Sequence, residues 1–379
     1  MRIMPTVTVL AVFATAGCAT AIDGGPVAVS TTPMAVSAKR VDQVRDDIDG
    51  LVRSGVPGVI ATLTENGQTI TLTSGVADSA TGAAIPMAPP QQVRIGSISK
   101  TFAASIVLQL VAEGRVRLDD SIDTYLPGLL VGDGVDGKAI TVRQILQHRS
   151  GLPELTEFPE IDEYRAGVIG RTFTPAEEIA LVLHHPAQFA PGARFKYTNT
   201  NYIVAGMLIE KVTGRQYSDE LAARIITPSQ LTGTYLPNTG ELTLRGPHPE
   251  GYNDIDGVRT DVTKSEPSVP WAAGAMVSTG NDLNRFFLAL LAGKIVADAQ
   301  LKEMLSTQTG TDVGMDYGLG IGGTQLPCGA HYYGHTGGIA GFVTVSGAST
   351  DGRAVTIALT ESDPGPQDIV ALLSHALCP

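Results

Sequence analysis

The 379-residue chain holds a single tryptophan and only three cysteines, and aromatic residues make up just 5% of it. No uninterrupted apolar run approaches the roughly 18 residues that a membrane-spanning helix needs. Cations are scarce too: 26 Lys and Arg stand against 38 Asp and Glu, a formal charge of −12. Such a surface repels phosphate backbones and anionic lipid, so no nucleic-acid partner is expected. The seven histidines show no ligand spacing of the His-Glu-x-x-His kind, so no metal or other cofactor is expected. What the chain does have is apolar residues, 43% of the total, ample for a large core in one big domain or two modest ones.

Residues 1–21 read as an export signal. Arg2 supplies a minimal positive start, Val7 to Ala16 an apolar run, and Ala14-Thr15-Ala16 and Ala19-Thr20-Ala21 two small-residue cleavage sites. Gly17-Cys18 is a candidate lipid-anchor site, although Thr15 stands where such sites carry Leu. A secreted or extracytoplasmic location is therefore expected. With Cys18 removed or lipidated, Cys328 and Cys378 remain, and an oxidising compartment would bridge them. The alternative is two buried free thiols. A bridge would close a loop of about fifty residues, worth at most about 4 kcal/mol in chain entropy.

Residues 22–40 read as a linker, and a catalytic domain is expected over 41–379. Helical spacing covers Val41 to Val52. Val56 to Val76 reads as two strands joined at Glu65-Asn66-Gly67. Gly96-Ser97 opens a helix that runs to Gly114 and is apolar on nearly every side, so it should be buried. From about 119 to 235 the segments are mostly helical, and strands return over Tyr317 to Gly322, Phe342 to Ser346 and Ala354 to Leu359 before a closing helix at Gln367 to Leu377. The pattern implies an α/β chain of the α+β type. An antiparallel sheet built from both chain ends is flanked by helices, with an all-helical lobe inserted.

Three motifs carry chemistry. In Ser97-Ile98-Ser99-Lys100 the spacing of three places Lys100 on the face of Ser97, one turn along the helix. Burial would lower the lysine pKa and make it a base for the serine proton, while the helix N-terminus favours a developing anion. The second motif, Tyr197-Thr198-Asn199, offers a phenol for proton relay and an amide able to hold a substrate amide. Read alone, it is equally a turn whose Asn caps the next helix. The third, His335-Thr336-Gly337-Gly338, lets a strand edge approach a ligand closely. The Gly338 N–H would then join that of Ser97 as an oxyanion hole, and His335 would supply a switchable positive charge. Read alone, it is equally a glycine-rich hairpin turn.

In this order the three motifs resemble those of the penicillin-binding proteins and serine β-lactamases, and more closely the class C β-lactamases and soluble secreted D-alanyl-D-alanine carboxypeptidases. The likeness is carried by Arg94 to Phe102, Leu146-Gln147-His148-Arg149-Ser150-Gly151-Leu152-Pro153, Tyr197 to Tyr202 and Tyr333 to Gly338, together with Asp119 to Leu130 and the placement of Cys328 and Cys378. It covers roughly residues 40–379. It implies that Ser97 is the acylated nucleophile, Lys100 its proton-abstracting partner and Tyr197 the relay to the leaving group. It also implies that Asn199 contacts the acyl amide and Thr336 the substrate carboxylate, with His335 in a place many relatives give to Lys. Trp271 matches a binding-cleft aromatic of the carboxypeptidase branch, the other reading being core filler.

Two departures bear on substrate. Gly320-Ile321-Gly322-Gly323-Thr324 has no cation where carboxypeptidase relatives carry an Arg, and Gly338 stands where they carry Thr. The leading expectation is a D-alanyl-D-alanine carboxypeptidase or close serine peptidase on cell-wall or D-amino-acid peptides. A class C-like β-lactamase, an esterase and a non-catalytic penicillin-fold binding protein stand behind it. A peptide or other small molecule, a β-lactam included, is the expected partner.

Overall fold

The computed structural model describes residues 36–365 and 368–379. The export signal, Cys18 and most of the expected linker lie outside them. Helix α1 (Ala38–Arg53) begins inside the linker as read, because Arg40 is already part of the core. Its guanidinium is 1% exposed, pairs with Glu65 at 2.6 Å and donates to the Ala376 carbonyl.

Strands β1 (Gly58–Glu65) and β2 (Gln68–Asp78) form the expected hairpin, with Glu65 opposite Gln68. The turn needs left-handed backbone twice, and Asn66 (φ 51°) and Gly67 (φ 74°) supply it. Six further strands complete an antiparallel sheet: β3 (Ala83–Ala84), β4 (Asp316–Tyr317), β5 (Gly322–Gln325), β6 (His331–Ile339), β7 (Phe342–Ser349) and β8 (Ala354–Leu359). Their order is β4-β5-β6-β7-β8-β1-β2-β3. Val59 of β1 lies opposite Leu359 of β8, so the two chain ends meet in mid-sheet, as expected.

Period-two alternation divides β1 between two layers. Val59, Ala61 and Leu63 pack with Val44 and Ile48 of α1 and with Leu373 and Leu377 of the closing helix Ile369–Leu377. Ile60 faces the other way, into the larger core that holds Phe102, Phe286 and Phe287. Asn284, in the helix Gly280–Leu291, pins that helix to the sheet. It donates to the Thr62 carbonyl and the Thr64 hydroxyl and accepts from the Thr356 hydroxyl.

Helix α2 (Ser99–Ala112) runs through the larger core with nearly every side chain buried. The inserted lobe supplies α3 (Val142–Leu146), α4 (Glu163–Ile169), α5 (Pro175–Val182) and α6 (Thr200–Thr213). It is not all-helical: Val131–Gly132 pairs with Val135–Asp136 as a short ladder. The third motif corrects its turn reading as well. His335 to Gly338 lie within β6, His335 opposite Ser346, and the turn comes later, at Ala340-Gly341. Cys328 and Cys378 are bridged, their Cα atoms 5.8 Å apart. Among the described residues no helix is long and apolar enough to cross a membrane.

Glu178 in α5 is 0% exposed, and neither carboxylate oxygen has a hydrogen-bonding partner. Burial, assisted by Glu177, raises its pKa from 4.5 to about 9. The folded state therefore keeps a proton that the unfolded chain loses, and stability falls as pH rises through that window. Glu178→Gln should flatten this slope. Thermal midpoints measured from pH 5 to 9 check it: the wild type should fall more steeply than the variant.

Candidate active site

Ser97 occupies a single tight turn, Gly96–Ile98, that feeds directly into α2. The turn is pressed against β6 so closely that two positions require glycine. A Cβ on Gly337 would lie 2.0 Å from the Ile95 carbonyl oxygen, and one on Gly96 (φ 50°) would lie 2.8 Å from that of Gly338. The first and third motifs therefore share one backbone contact, with Ser97 and Gly338 lining the same two cavities.

Lys100 is fully buried. Its Nζ donates to Ser97 Oγ at 2.8 Å, to Asn199 Oδ1 at 2.7 Å and to the Ala273 carbonyl at 2.7 Å. Burial lowers its pKa from 10.5 to about 7, against an upward pull from the Glu154 carboxylate. A neutral amine here has two N–H bonds for Asn199 and Ala273 and a lone pair for the serine hydroxyl. Asn199 stands at the N-cap position of α6, but its side chain caps nothing. It is instead fixed by Glu154, which accepts from the Asn199 N–H and side-chain amide at 2.7 Å each.

Tyr197 is half-buried, with Lys100 Nζ 5.0 Å from its ring centre, and its buried hydroxyl has no hydrogen-bonding partner. Burial drives the phenol pKa well above 10, with the Ser97 hydroxyl acting in the opposite sense. It stays protonated, and so is a proton donor and not a base.

His335 departs from expectation. It is 3% exposed, and burial and the neighbouring Lys100 lower its pKa to about 3. Its Nδ1 lies 2.5 Å from the Thr336 carbonyl, which can only accept, so Nε2 is the bare nitrogen and accepts from the Tyr317 hydroxyl at 2.8 Å. The expected switchable positive charge is absent because desolvation keeps this imidazole neutral.

His148 and Tyr317 extend that order. The Thr198 N–H donates to His148 Nδ1 at 3.2 Å, so His148 Nε2 carries the proton and donates to the Tyr317 oxygen at 3.3 Å. One directed chain runs from Thr198 through His148, Tyr317 and His335 to Thr336, joining the second motif to the third. The His148 ring also stacks on Tyr197 at 4.1 Å. Its backbone is left-handed (φ 56°), a conformation costing about 1 kcal/mol or more in a non-glycine residue. None of these roles was assigned from sequence. The signal for His148 was the Leu146–Pro153 stretch, which carried the resemblance without a function; Glu154 lies just beyond it.

Trp271 is a second correction. It packs on Tyr217 at 5.6 Å and against Gly206, where a Cβ would lie 2.6 Å from its ring, and it lines neither cavity at Ser97. The indole is half-buried against the core, and the site takes Ala273 from this segment.

The two cavities differ in character. One, about 260 Å³, is bounded by Tyr197, Tyr317, His335 and Thr336 with Val313 and Met315, and no lining side chain is positively charged. The other, about 80 Å³, lies along Asn199, Leu155, Thr156, Glu163 and Ile339.

A family model described as "Beta-lactamase" matches residues 40–376. The chain belongs to the beta-lactamase family. Within it, the D-stereospecific amidohydrolase of a Streptomyces species is similar at a TM-score of 0.81 and 33% identity, over 88% of this chain and 98% of that one. The D-amino acid amidase of Ochrobactrum anthropi SV3 is similar at 0.77 and 28%, over 89% and 98%. Among curated relatives, penicillin-binding protein 4 of Amycolatopsis lactamdurans is 29% identical over 46% of this chain and 43% of its own length. The protein flp of Staphylococcus aureus strain COL is 26% identical over 57% of this chain and 41% of its own length. The chain thus spans less than half of the curated relatives it matches. The family and the site together make the protein a serine hydrolase of the β-lactamase and penicillin-binding superfamily.

If neutral Lys100 accepts the serine proton, kcat/KM should rise with pH through a limb centred near 7. His335→Asn should leave that midpoint in place, and a pH–rate profile of both proteins checks it. Ser97→Ala should abolish acylation, read by intact mass after incubation with an acylating substrate.

Proposed function

We propose that the protein hydrolyses amides of D-amino acids, or short peptides containing them, through an acyl-enzyme on Ser97 and outside the cytoplasm. The observation that carries this is that no positively charged side chain lines the cavity bounded by Tyr197. Lys100 takes the Ser97 proton as Oγ attacks the substrate carbonyl. The N–H groups of Ser97 and Gly338 hold the oxyanion. As the C–N bond breaks, Tyr197 gives its proton to the departing nitrogen and is reprotonated by Lys100. Water, giving its proton to the now neutral Lys100, then attacks the acyl carbonyl, and Lys100 returns that proton to Ser97 Oγ as the C–O bond breaks and the acid leaves.

Tyr197 places the leaving group in the cation-free cavity, and Asn199 places the acyl group on the opposite side. A leaving group that ends in a carboxylate, as D-alanine does, finds only Thr336 and a neutral His335 there. The lost charge-assisted partner is worth roughly 1.5–3 kcal/mol, or one to two orders of magnitude in specificity. Ammonia or a neutral amine loses nothing. On the acyl side, the carboxylate of Glu163 suits a free α-ammonium group. The similarity to a D-stereospecific amidohydrolase and a D-amino acid amidase supports the same reading, and with it the D configuration. The leader-like residues 1–21 and the Cys328–Cys378 bridge support export.

The test compares kcat/KM for D-alanine amide with that for D-alanyl-D-alanine, which share one small acyl group, with a fluorescent penicillin run alongside. The amide should win by about tenfold or more, and penicillin should leave a slowly released adduct on Ser97. A preference for the carboxylate-ended peptide would restore the carboxypeptidase reading. Penicillin consumed without a lasting adduct would make the protein a β-lactamase.

A further inference from the structure

Glu163 lines two cavities. One is the acyl-side cavity of about 80 Å³ that it shares with Ser97, Asn199 and Gly338. The other, about 570 Å³, runs outward along Tyr164, Val168, Asn253, Ile255 and Val262. The side chain between them is held in place. Glu163 is the first residue of α4, and its carbonyl accepts from the Glu266 N–H at 2.7 Å. Its carboxylate accepts from the N–H of Ala340, in the turn between β6 and β7, at 3.0 Å. The side chain thus reaches from the lobe to the sheet.

We propose that Glu163 is a partition that limits acyl length, and that the larger cavity behind it is a latent subsite for an apolar extension of the acyl group. The inference rests on the reading of Ser97 as the acylated group and of the Asn199 side as the acyl side. The inner cavity is the smaller of the two, about 80 Å³ against about 570 Å³. A longer acyl group has to pass the place where Glu163 bridges to Ala340. The outer cavity has the chemistry to receive one: Val168 and Ile255 offer apolar surface between the polar side chains of Asp162, Arg165 and Ser362, and Val168 is 67% exposed, an apolar side chain left open at its rim. The partition thereby determines specificity without touching the reacting atoms.

The test uses p-nitrophenyl acetate and p-nitrophenyl octanoate, which probe acyl length whether or not D-amino acid amides are substrates. The wild type should favour acetate. Glu163→Gln keeps the length of the side chain and an oxygen for the Ala340 N–H, and should keep the wild-type ratio of kcat/KM. Glu163→Ala removes the partition and should raise the octanoate-to-acetate ratio by about tenfold or more, because each methylene gaining a dry contact is worth roughly a factor of four. Ile255→Trp, added to the alanine variant, should fill the outer cavity and return the ratio towards the wild type. Glu163→Ser serves where alanine lowers the yield. Equal changes with both esters, or a glutamine variant that behaves as alanine does, would overturn the proposal. An intact mass showing Ser97 unmodified by either ester would instead remove the acyl-enzyme reading, and the partition with it. A wild type that turns over esters but no D-amino acid amide would overturn the amidase reading alone.

Discussion

The site depends on one buried amine. Lys100 sits where water cannot reach it, with three oxygens around its nitrogen and no carboxylate in direct contact. Desolvation disfavours its charged form, and the nearest negative charge, Glu154, is separated from it by Asn199. Had Glu154 paired directly with Lys100, the amine would stay charged and could not take a proton. Placing a neutral amide between them lets the carboxylate orient the site without locking the lysine as a cation. The all-round burial of α2 is what makes this possible, so the packing of the core and the basicity of the catalyst follow from the same helix.

Around that amine the surrounding groups are kept neutral. Tyr197 is held protonated by burial, and His335 and His148 are held uncharged by burial and by the directed chain through Tyr317. A second cation near Lys100 would depress its pKa further. A neutral His335 also leaves the leaving-group side without a charge to meet a carboxylate. The same desolvation therefore tunes the base and shapes substrate choice. The strained left-handed backbone at His148 is tolerated because Thr198, Asn201 and Tyr317 all engage its ring.

Much of the fold was legible in the sequence. The Asn66-Gly67 turn with the strands on either side of it and the apolar surround of α2 are local signals, and the hairpin and the helix formed where those signals placed them. The Ser97–Lys100 spacing is local too, which is why the nucleophile and its partner were readable from one helical turn. The inserted lobe was harder: its short ladder at Val131–Asp136 has too few residues to show a period. What stayed hidden depends on contacts far apart in the chain. Glu154 meets Asn199 across 45 positions and His148 meets Tyr317 across 169, with no local pattern to announce either pair. His335 was misread because an isolated imidazole titrates near neutrality, and only its enclosure within β6 removes that charge. Trp271 carried two readings because a lone indole looks the same in a core as in a cleft until its neighbours Tyr217 and Gly206 are known.

The central claim, that burial alone makes Lys100 a base near neutral pH, can be tested without substrate. An NMR titration of the lysine side chains in the intact protein, with the Lys100 signal assigned by Lys100→Arg, reads its protonation directly. The account predicts a midpoint near 7 for Lys100, far from the ordinary lysine value of about 10.4. A Lys100 signal that stays charged until about pH 10 would contradict it, and would move the search for the base to another group.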